Sequence, residues 1–345
     1  MAATGGSMRA VIMERIGKAR VLKPTRLPRP QPAAGEVLVK IHAASVNLSD
    51  LQLRSGRLVI RKPLPHILGA DLAGEIAELG EDVEGWEIGE RVCATFEQLG
   101  SEIDGGYAEY CALPADKLIR LPDDLDFQSA TAAGASFATA FLALVIHGKL
   151  KKADTVAIRG AAGSVGASAV QIAAARGAKV IAICQGEFAS NLHEIGADIA
   201  LEDAGGDLVR QVKVATDENG ASLVLHCSDK LDLQQSLDML GYGGRLVIAS
   251  ALSKPDAKLN AMDLYLRNLS VLGSYGSVKP KDFESLLSSL ARGKYRALVD
   301  EVMPLSQARK AHQKLEKSPG FGKILLVPDS VLEAAKKSEN WIPID

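Results

Sequence analysis

The sequence is poor in aromatic residues, has almost no net charge, and lacks a long run of leucine or isoleucine. Phe, Trp and Tyr make up 4% of its 345 residues, too few for the stacking platforms that bind single-stranded nucleic acid. The 40 Lys and Arg residues nearly balance the 42 Asp and Glu residues, so a polyanionic partner is not expected. This composition excludes nucleic-acid binders, disordered tails and collagen-like chains.

Disulfide and targeting signals are also missing. The four cysteines, at 93, 111, 184 and 227, form no Cys-x-x-Cys pair, so we expect a reduced, cytoplasmic protein. Residues 1–7 lack both the charged and the apolar region of a signal peptide. Residues 130–147 carry no formal charge, but they are mostly Ala, Thr, Ser and Gly, which predicts a buried helix and no membrane span.

Proline usage divides the chain. Eight of the 14 prolines lie in the first 122 residues and the next is Pro255, so the first third is expected to be β-rich, with a half-buried strand at 37–43. Beyond Asp126, short apolar runs alternate with helical segments, which predicts βαβ units and a parallel, doubly wound α/β sheet. The strands are expected at 155–158, 179–184, 222–226 and 244–249, and the helices at 165–176, 207–216 and 233–240.

The strand-and-turn pattern returns near residue 298. A strand at 298–303, a helix at 306–317 and a strand at 323–327 are expected to rejoin the first domain. We therefore predict one domain from residues 1–127 with 302–345, and a second from 128–301. The extension after residue 328 predicts only a short helix at 331–338.

The strongest local motif lies between the first predicted strand of the second domain and its helix. Residues 158–166 (IRGAAGSVG) form a dinucleotide-binding fingerprint, Ala161-x-Gly163-x-x-Gly166, with alanine in place of the first glycine. Small residues let the backbone approach a pyrophosphate held by the helix N-terminus, and Gly166 lets helix and strand pack closely. The alternative is an ordinary turn whose glycines serve packing alone.

The motif does not decide between the two dinucleotides. An NAD enzyme places an acid at the tip of the second strand, where this chain has Gln185, and Glu187 comes too late. No Lys or Arg occurs from 181 to 203 to pair a 2′-phosphate. Either Arg159 or Arg267 is recruited for this purpose, or both are ordinary surface residues.

Seven segments occur together in a recognisable order: 8–12 (MRAVI), 44–50 (ASVNLSD), 64–74 (LPHILGADLAG), 106–110 (GYAEY), 161–166 (AAGSVG), 243–247 (GGRLV) and 322–325 (GKIL). From Met8 to about Pro328 the chain resembles the medium-chain dehydrogenase/reductase superfamily, in its zinc-free quinone oxidoreductase (zeta-crystallin-like) branch. The resemblance implies a GroES-like β-rich domain, an inserted Rossmann domain, a small electrophilic substrate, and a homodimer formed through the sheet edge near 269–273.

The resemblance also bears on zinc. The positions that hold catalytic zinc ligands in the zinc-dependent relatives are occupied by Asn47, Ala70 and Ala135. Asp71 leaves an acid beside the missing histidine, and the lobe at 94–106 contains no cysteine. Because zinc prefers sulfur and nitrogen donors, we expect neither a catalytic nor a structural zinc.

Without a Lewis acid, the acceptor must already be electrophilic, as quinones and α,β-unsaturated carbonyls are. The resemblance then implies an NADP(H)-dependent oxidoreductase, with NADP(H) preferred to NAD(H). Its candidate catalytic residues are Asn47, Tyr275 and Gln52, although Gln52 replaces a tyrosine of many relatives and cannot act as a general acid. Solvent is an alternative proton source. The expected cofactor contacts are Asn47, Thr139, Ala162, Gly163, Ser164, Val165, Gly166, Gln185, Ser250, Ser274 and Tyr275.

Two other functions stay open at this point. One is a dedicated enoyl-thioester or enone reductase, or a dehydrogenase, of a biosynthetic pathway, with a carrier phosphate bound by a basic cluster; the other is a non-catalytic NADP(H)-binding sensor or structural protein. Some individual residues also have plainer roles: Asn47 as the cap of a helix beginning near Ser49, His226 as a core histidine, and Tyr107 and Tyr110 as packing residues. The basic cluster consists of Arg54, Arg57, Arg61 and Lys62.

Overall fold

The computed structural model describes residues 6–203, 207–227, 232–250, 258–317 and 320–337. Its first part is β-rich, as the proline pattern predicts. The elements are β1 (Ser7–Met13), β2 (Leu22–Pro28), β3 (Glu36–Val46), α1 (Leu48–Ser55), β4 (His66–Ile67), β5 (Asp71–Leu79), β6 (Arg91–Thr95), β7 (Tyr110–Pro114) and β8 (Ile119–Arg120), with 3-10 turns at Ala19–Val21 and Ala115–Lys117.

The middle of the chain alternates strands and helices. The elements are α2 (Phe127–Phe141) with a π-helical continuation (Leu142–His147), β9 (Thr155–Arg159), α3 (Ser164–Ala175), β10 (Lys179–Cys184), α4 (Ala189–Glu194), β11 (Ile199–Glu202), α5 (Leu208–Ala215), β12 (Ala221–His226), α6 (Leu233–Asp238), β13 (Leu240–Ile248), α7 (Ala261–Leu266), β14 (Ser270–Gly273) and α8 (Pro280–Ala291). The strand order is β11-β10-β9-β12-β13-β14, and all pairs are parallel. This is the doubly wound Rossmann arrangement, whose order reverses between β9 and β12.

The last part returns to the first sheet. It contains β15 (Val299–Pro304), a 3-10 turn (Leu305–Gln307), α9 (Ala308–Lys317), β16 (Lys323–Val327) and α10 (Asp329–Lys337). β16 pairs antiparallel with β3, placing Ile324 opposite Val46, and β15 pairs with β16. The predicted domain boundaries, at 127/128 and 301/302, stay a proposal. α10 begins two residues before the predicted helix, and Ser338 lies outside the described residues.

The segment Phe127–His147 is long and apolar enough to cross a membrane by length and composition, yet 67% of its most apolar stretch is buried inside the fold. α2 packs between the two sheets, against β3 and β5 on one side and α3 on the other. Its alanines and Phe137 are part of one hydrophobic core with β9, α3 and β10. The expectation of a buried core helix is therefore met.

Candidate active site

The turn between β9 and α3 has the geometry of an anion-binding loop. Gly160 has φ +82°, and the N–H of Ala161 donates to the carbonyl of Ile183 at 3.0 Å. Among the described residues, the N–H groups of Ser164–Gly166 have no acceptor, and helical hydrogen bonding starts at Ala167. Unpaired N–H groups at a helix N-terminus attract negative charge, so the loop fits a pyrophosphate.

The two glycines of the loop differ in the space around them. A Cβ on Gly166 would lie 2.2 Å from the carbonyl oxygen of Gly160. The start of α3 is therefore too close to the end of β9 for a side chain at this position, as the fingerprint predicts. A Cβ on Gly163 would lie 3.4 Å from the same oxygen, an ordinary contact. Gly166 is therefore needed for packing, while the open side of Gly163 is available to a ligand.

The end of β10 provides no cation for a 2′-phosphate. Gln185 is exposed there. Arg159 is 4% exposed and is bonded to α6, donating to Ser236 Oγ at 2.9 Å and Gln235 Oε1 at 2.8 Å. Arg267 donates to the carbonyl of Leu240 at the amino end of β13, whereas the phosphate loop follows the carboxyl end of β9. Both guanidinium groups thus have partners within the fold, and the recruitment of either to a 2′-phosphate stays a prediction.

The carboxylate of Asp71 contacts Asn47 and Ala135, two of the three residues at the positions where the resemblance places zinc ligands. Asp71 is 1% exposed, and it accepts hydrogen bonds from Asn47 Nδ2 at 2.8 Å and from the N–H of Ala135 at 2.8 Å. Ser45 Oγ at 2.5 Å and Thr95 Oγ1 at 2.7 Å complete its shell. In the described part of the chain no group of three or more His, Cys, Asp or Glu side chains is arranged to hold a metal.

The helix α2 is bent where it meets this carboxylate. Gly134 has non-helical angles (φ −25°, ψ −111°), and a Cβ there would lie 2.6 Å from Asp71 Oδ1. The bend frees the N–H of Ala135 from helical bonding and directs it to Asp71. An Ala at 134 would therefore push α2 away from the site.

Lys323 is a site residue that sequence reasoning missed. Its side chain is buried, and its Nζ donates to Asn47 Oδ1 at 2.5 Å and lies 4.0 Å from Asp71 Oδ2. Burial lowers the pKa of this ammonium group. The sequence signal for this residue is a lysine at the start of the otherwise apolar strand KILLV. A charged side chain in a buried strand needs a polar partner, so this lysine indicates a buried contact.

Three consecutive residues connect this network to the cofactor loop. The ring of Phe321 stacks on that of Phe188, with centroids 5.8 Å apart, just after β10. Gly322 forms a backbone bridge with Gly163. Lys323 then contacts Asn47, so one short segment contacts both the Rossmann domain and the Asp71 network.

Asn47 occupies the predicted capping position, and its role at the cofactor stays a prediction. It is the N-cap residue of α1, which begins at Leu48, and its backbone N–H donates to Asp50 Oδ2 at 2.8 Å. Its side chain is 7% exposed and reaches Ser45 and Asp71. The capping position and a place in the candidate site are therefore compatible.

Asp50, on α1, belongs to a second network of buried polar groups. Asp50 accepts from the hydroxyl of Tyr107 at 3.2 Å and from the N–H of Gly69 at 3.1 Å, and the Tyr107 hydroxyl lies 3.0 Å from His312 Nε2. Burial raises the pKa of Asp50 to about 6 and lowers that of His312 to about 3. Tyr107 is thus a packing residue, as expected, and so is Tyr110, whose ring lies 4.2 Å below Arg29.

The other predicted site residues differ in burial and in their partners. Gln52 is 4% exposed, and its Oε1 has no hydrogen-bond partner among the described residues. Tyr275 is 77% exposed. Partial burial of its hydroxyl, followed by the nearby Glu97 carboxylate, raises the pKa of Tyr275. Ser274 Oγ lies 3.0 Å from His147 Nδ1. Thr139 and Ser250 are half-buried.

The cations of the basic cluster mostly pair with acidic side chains. Arg54 is buried and paired with Glu316, Arg61 Nη1 lies 2.9 Å from Glu102, and Lys62 Nζ lies 2.5 Å from Asp104. Three of its four cations therefore have acidic partners, which reduces the support that the cluster gave to a carrier phosphate. His226 is buried, with Nδ1 3.1 Å from Ser236 Oγ, as expected of a core histidine.

Comparisons with known proteins agree with this fold. The chain matches the family described as alcohol dehydrogenase GroES-like domain over residues 33–123, and the family described as zinc-binding dehydrogenase over residues 164–292. Quinone oxidoreductase from Sus scrofa is 32% identical over 329 residues, covering 93% of this chain and 98% of that protein.

Solved structures give the same result. AibC superposes with a TM-score of 0.87 at 32% identity, covering 94% of this chain and 97% of that chain. A thermostable alcohol dehydrogenase from Pyrobaculum aerophilum superposes with a TM-score of 0.85 at 29% identity, covering 94% and 100%. The chain belongs to the medium-chain dehydrogenase/reductase superfamily, whose members bind a nicotinamide cofactor. Within it, the chain is an oxidoreductase of the quinone oxidoreductase-like group.

Proposed function

We propose that this protein is a zinc-independent, NADP(H)-dependent oxidoreductase that transfers hydride to a quinone or an α,β-unsaturated carbonyl. The observation that carries the proposal is the Asp71 network, in which Asn47 and Ala135, at two of the three positions where the resemblance places zinc ligands, donate hydrogen bonds to a carboxylate. A substrate that needs no Lewis acid suits such a site. The proposal includes a small-molecule substrate and no resident metal.

The donor set argues against zinc on chemical grounds. Both N–H groups of the Asn47 amide are directed to Ser45 and Asp71, and its oxygen accepts from Lys323. Ala70 and Ala135 bring methyl groups where zinc needs sulfur, nitrogen or carboxylate donors. We therefore derive no step through a metal.

A nicotinamide cofactor, when bound, supplies the hydride. The free N–H groups of Ser164–Gly166 would hold its pyrophosphate, and Asn47 would border its reacting end. Addition of hydride leaves negative charge on a substrate oxygen, which hydrogen-bond donors must stabilise. The amide of Gln52 and the hydroxyl of Tyr275 are the candidate donors, and solvent supplies the proton because Gln52 is not an acid.

The proposed preference for NADP(H) rests on the absence of an acidic residue at the end of β10. A neutral Gln185 neither anchors the ribose hydroxyls of NAD(H) nor repels a 2′-phosphate. Because Arg159 and Arg267 are occupied elsewhere, we expect the preference to be small, within about tenfold, which corresponds to about 1.4 kcal/mol.

A second candidate is a dedicated reductase of one enone or enoyl thioester. The same hydride chemistry supports it, but the paired cations at Arg61 and Lys62 give it no phosphate groove. The buried, unpaired oxygen of Gln52 suggests a nearby ligand, which a reductase and a non-catalytic sensor would both have, so it does not separate the two.

Turnover measurements separate these candidates. Nicotinamide absorbance is followed with NADPH or NADH against naphthoquinone, cyclohexenone and crotonyl-coenzyme A. We expect turnover of the quinone or the enone, with NADPH modestly favoured. Turnover of the thioester alone would favour the dedicated reductase, and tight cofactor binding without turnover would favour the sensor.

The proposal also includes a homodimer and a reducing, cytoplasmic location. β14 is an edge strand of the Rossmann sheet, next to exposed apolar side chains on α7, which supports pairing with a second copy. All four cysteines are free thiols, which supports a reducing compartment.

A further inference from the structure

Lys323 is a buried cation that the hydride-transfer chemistry outlined above does not use. Its side chain is 4% exposed, yet it makes one hydrogen bond among the described residues, to Asn47 Oδ1. The Asp71 carboxylate, at 4.0 Å from Nζ, is too far for a second. A buried ammonium carries a large desolvation cost, so the single contact it makes deserves an explanation.

We propose that Lys323 is a positioning residue for hydride transfer, which fixes the side-chain amide of Asn47 in one orientation beside the cofactor; this rests on the proposed function. An asparagine amide has nearly the same shape in its two flipped forms, and only its partners distinguish them. Here Lys323 donates to the oxygen, and Asp71 accepts from the nitrogen. The flipped form would set N–H against ammonium and oxygen against carboxylate, so it is excluded.

The backbone around Lys323 connects this orientation to the cofactor loop. Gly322 has φ +121°, and a Cβ there would lie 2.6 Å from the carbonyl oxygen of Leu298, so the segment accepts only glycine. The same residue bridges Gly163 of the phosphate loop. The N–H of Lys323 donates to Leu298 at 2.9 Å, which fixes the start of β16. The amide of Asn47 is therefore held relative to the cofactor, which hydride transfer requires.

A competing explanation is that Lys323 only balances the charge of Asp71. The two explanations differ in what a neutral donor can do. Lys323→Met removes both the charge and the hydrogen bond to Asn47, whereas Lys323→Gln removes the charge but keeps an N–H donor. Charge balance alone predicts equal losses in the two variants, and positioning predicts that glutamine restores much of the function.

The experiment measures kcat and KM for NADPH with naphthoquinone as acceptor. The matched control is Lys314→Met, which removes a partly exposed lysine paired with Asp300 and Glu301 on the outer side of α9. We expect Lys323→Met to lower kcat about 10- to 100-fold with KM changed less than about threefold, because misplacement affects the reacting geometry more than binding. Lys323→Gln should return kcat to within about fivefold of wild type, and the control should match wild type.

A second readout does not depend on turnover. The side-chain 15N–1H resonances of Asn47, assigned with Asn47→Asp, are recorded in the cofactor-free protein. We expect the same resonances in wild type and Lys323→Gln, and shifted or doubled resonances in Lys323→Met. Unchanged resonances in Lys323→Met, or equal kcat losses in the Met and Gln variants, would overturn the proposal. If wild type turns over no acceptor, the proposed function fails, and the resonances alone decide the role of Lys323.

Discussion

The amide nitrogen of Asn47 lies 2.8 Å from the carboxylate of Asp71, with both side chains buried. The two residues come from different strand ends, β3 and β5, which pair antiparallel. The resemblance places a zinc ligand of the metal-dependent relatives at position 47, and in this chain the Asn47 side chain is part of a hydrogen-bonded network around an acid.

The first prediction concerns Asn47. Asn47→Ala should lower kcat/KM at least about tenfold, because the reacting end of the cofactor loses its polar neighbour. It should also destabilise the fold by about 1–3 kcal/mol, since Asp71 loses a donor and Lys323 loses its acceptor. Steady-state kinetics and urea unfolding measure the two effects. Asn191→Ala, at an exposed position on α4, is the control, and full activity in Asn47→Ala would contradict the assignment.

The second prediction separates the two glycines of the phosphate loop. Gly166→Ala should destabilise the protein by about 1–3 kcal/mol, because its Cβ would collide with the Gly160 carbonyl. Gly163→Ala should change stability by less than about 1 kcal/mol but raise the Kd for NADPH about tenfold, because the pyrophosphate approaches there. Thermal unfolding and cofactor titration test this. Equal effects on both measurements would argue for a packing turn without a ligand.

The third prediction concerns the pH dependence of stability. Asp50, with its pKa raised to about 6, binds a proton more tightly in the folded state, so its contribution falls as pH rises from about 4 to 6, by about 3 kcal/mol. His312, with its pKa lowered to about 3, has the opposite effect, and its contribution rises with pH from about 3 to 6.5. In the wild-type protein, the opposite pH dependences of these two contributions to stability therefore largely cancel.

Single substitutions should reveal how each group changes the pH dependence of the free energy of unfolding. Asp50→Asn should make the free energy of unfolding rise more steeply with pH between 4 and 6 than in wild type, and His312→Gln should make it fall. Denaturant unfolding at several pH values measures this, with the exposed Asp116→Asn as control. Parallel curves for all four proteins would mean that neither buried group titrates as the structure implies.

Strands with a clear local pattern of apolar residues were predicted accurately, and strands without such a pattern were not. The strands at 179–184 and 323–327 were predicted to the residue, because apolar runs with clear boundaries specify buried strands. β13 was predicted from residue 244 but begins at Leu240, because its Gly-Tyr-Gly-Gly stretch is typical of a turn, and the strand there is irregular in register.

The site was predicted where a motif is contiguous and missed where it is not. The phosphate loop is a single stretch of sequence, whereas Asn47 and Lys323 are 276 residues apart and meet only because β16 pairs with β3. The contacts of the two arginines were missed for the same reason. Nothing local to Arg159 indicates that α6 folds against its guanidinium group.

The fourth prediction concerns assembly. Met262, Tyr265 and Leu266 on α7 are exposed beside the edge strand β14, and an edge with apolar neighbours favours pairing with another copy. Tyr265→Glu should convert a homodimer into a monomer, as measured by sedimentation velocity. Ile88→Glu, at an equally exposed apolar position in the GroES-like domain, should leave the dimer intact. A wild-type monomer would contradict the prediction.

The most direct test of the central claim is turnover after metal removal. The protein is dialysed against a chelator, its zinc content is measured, and reduction of naphthoquinone and cyclohexenone by NADPH is followed in the same sample. Because Asn47, Ala70 and Ala135 offer zinc no suitable donor set, we predict unchanged turnover in protein with less than about one zinc per ten chains. Loss of turnover that added zinc restores would contradict the account.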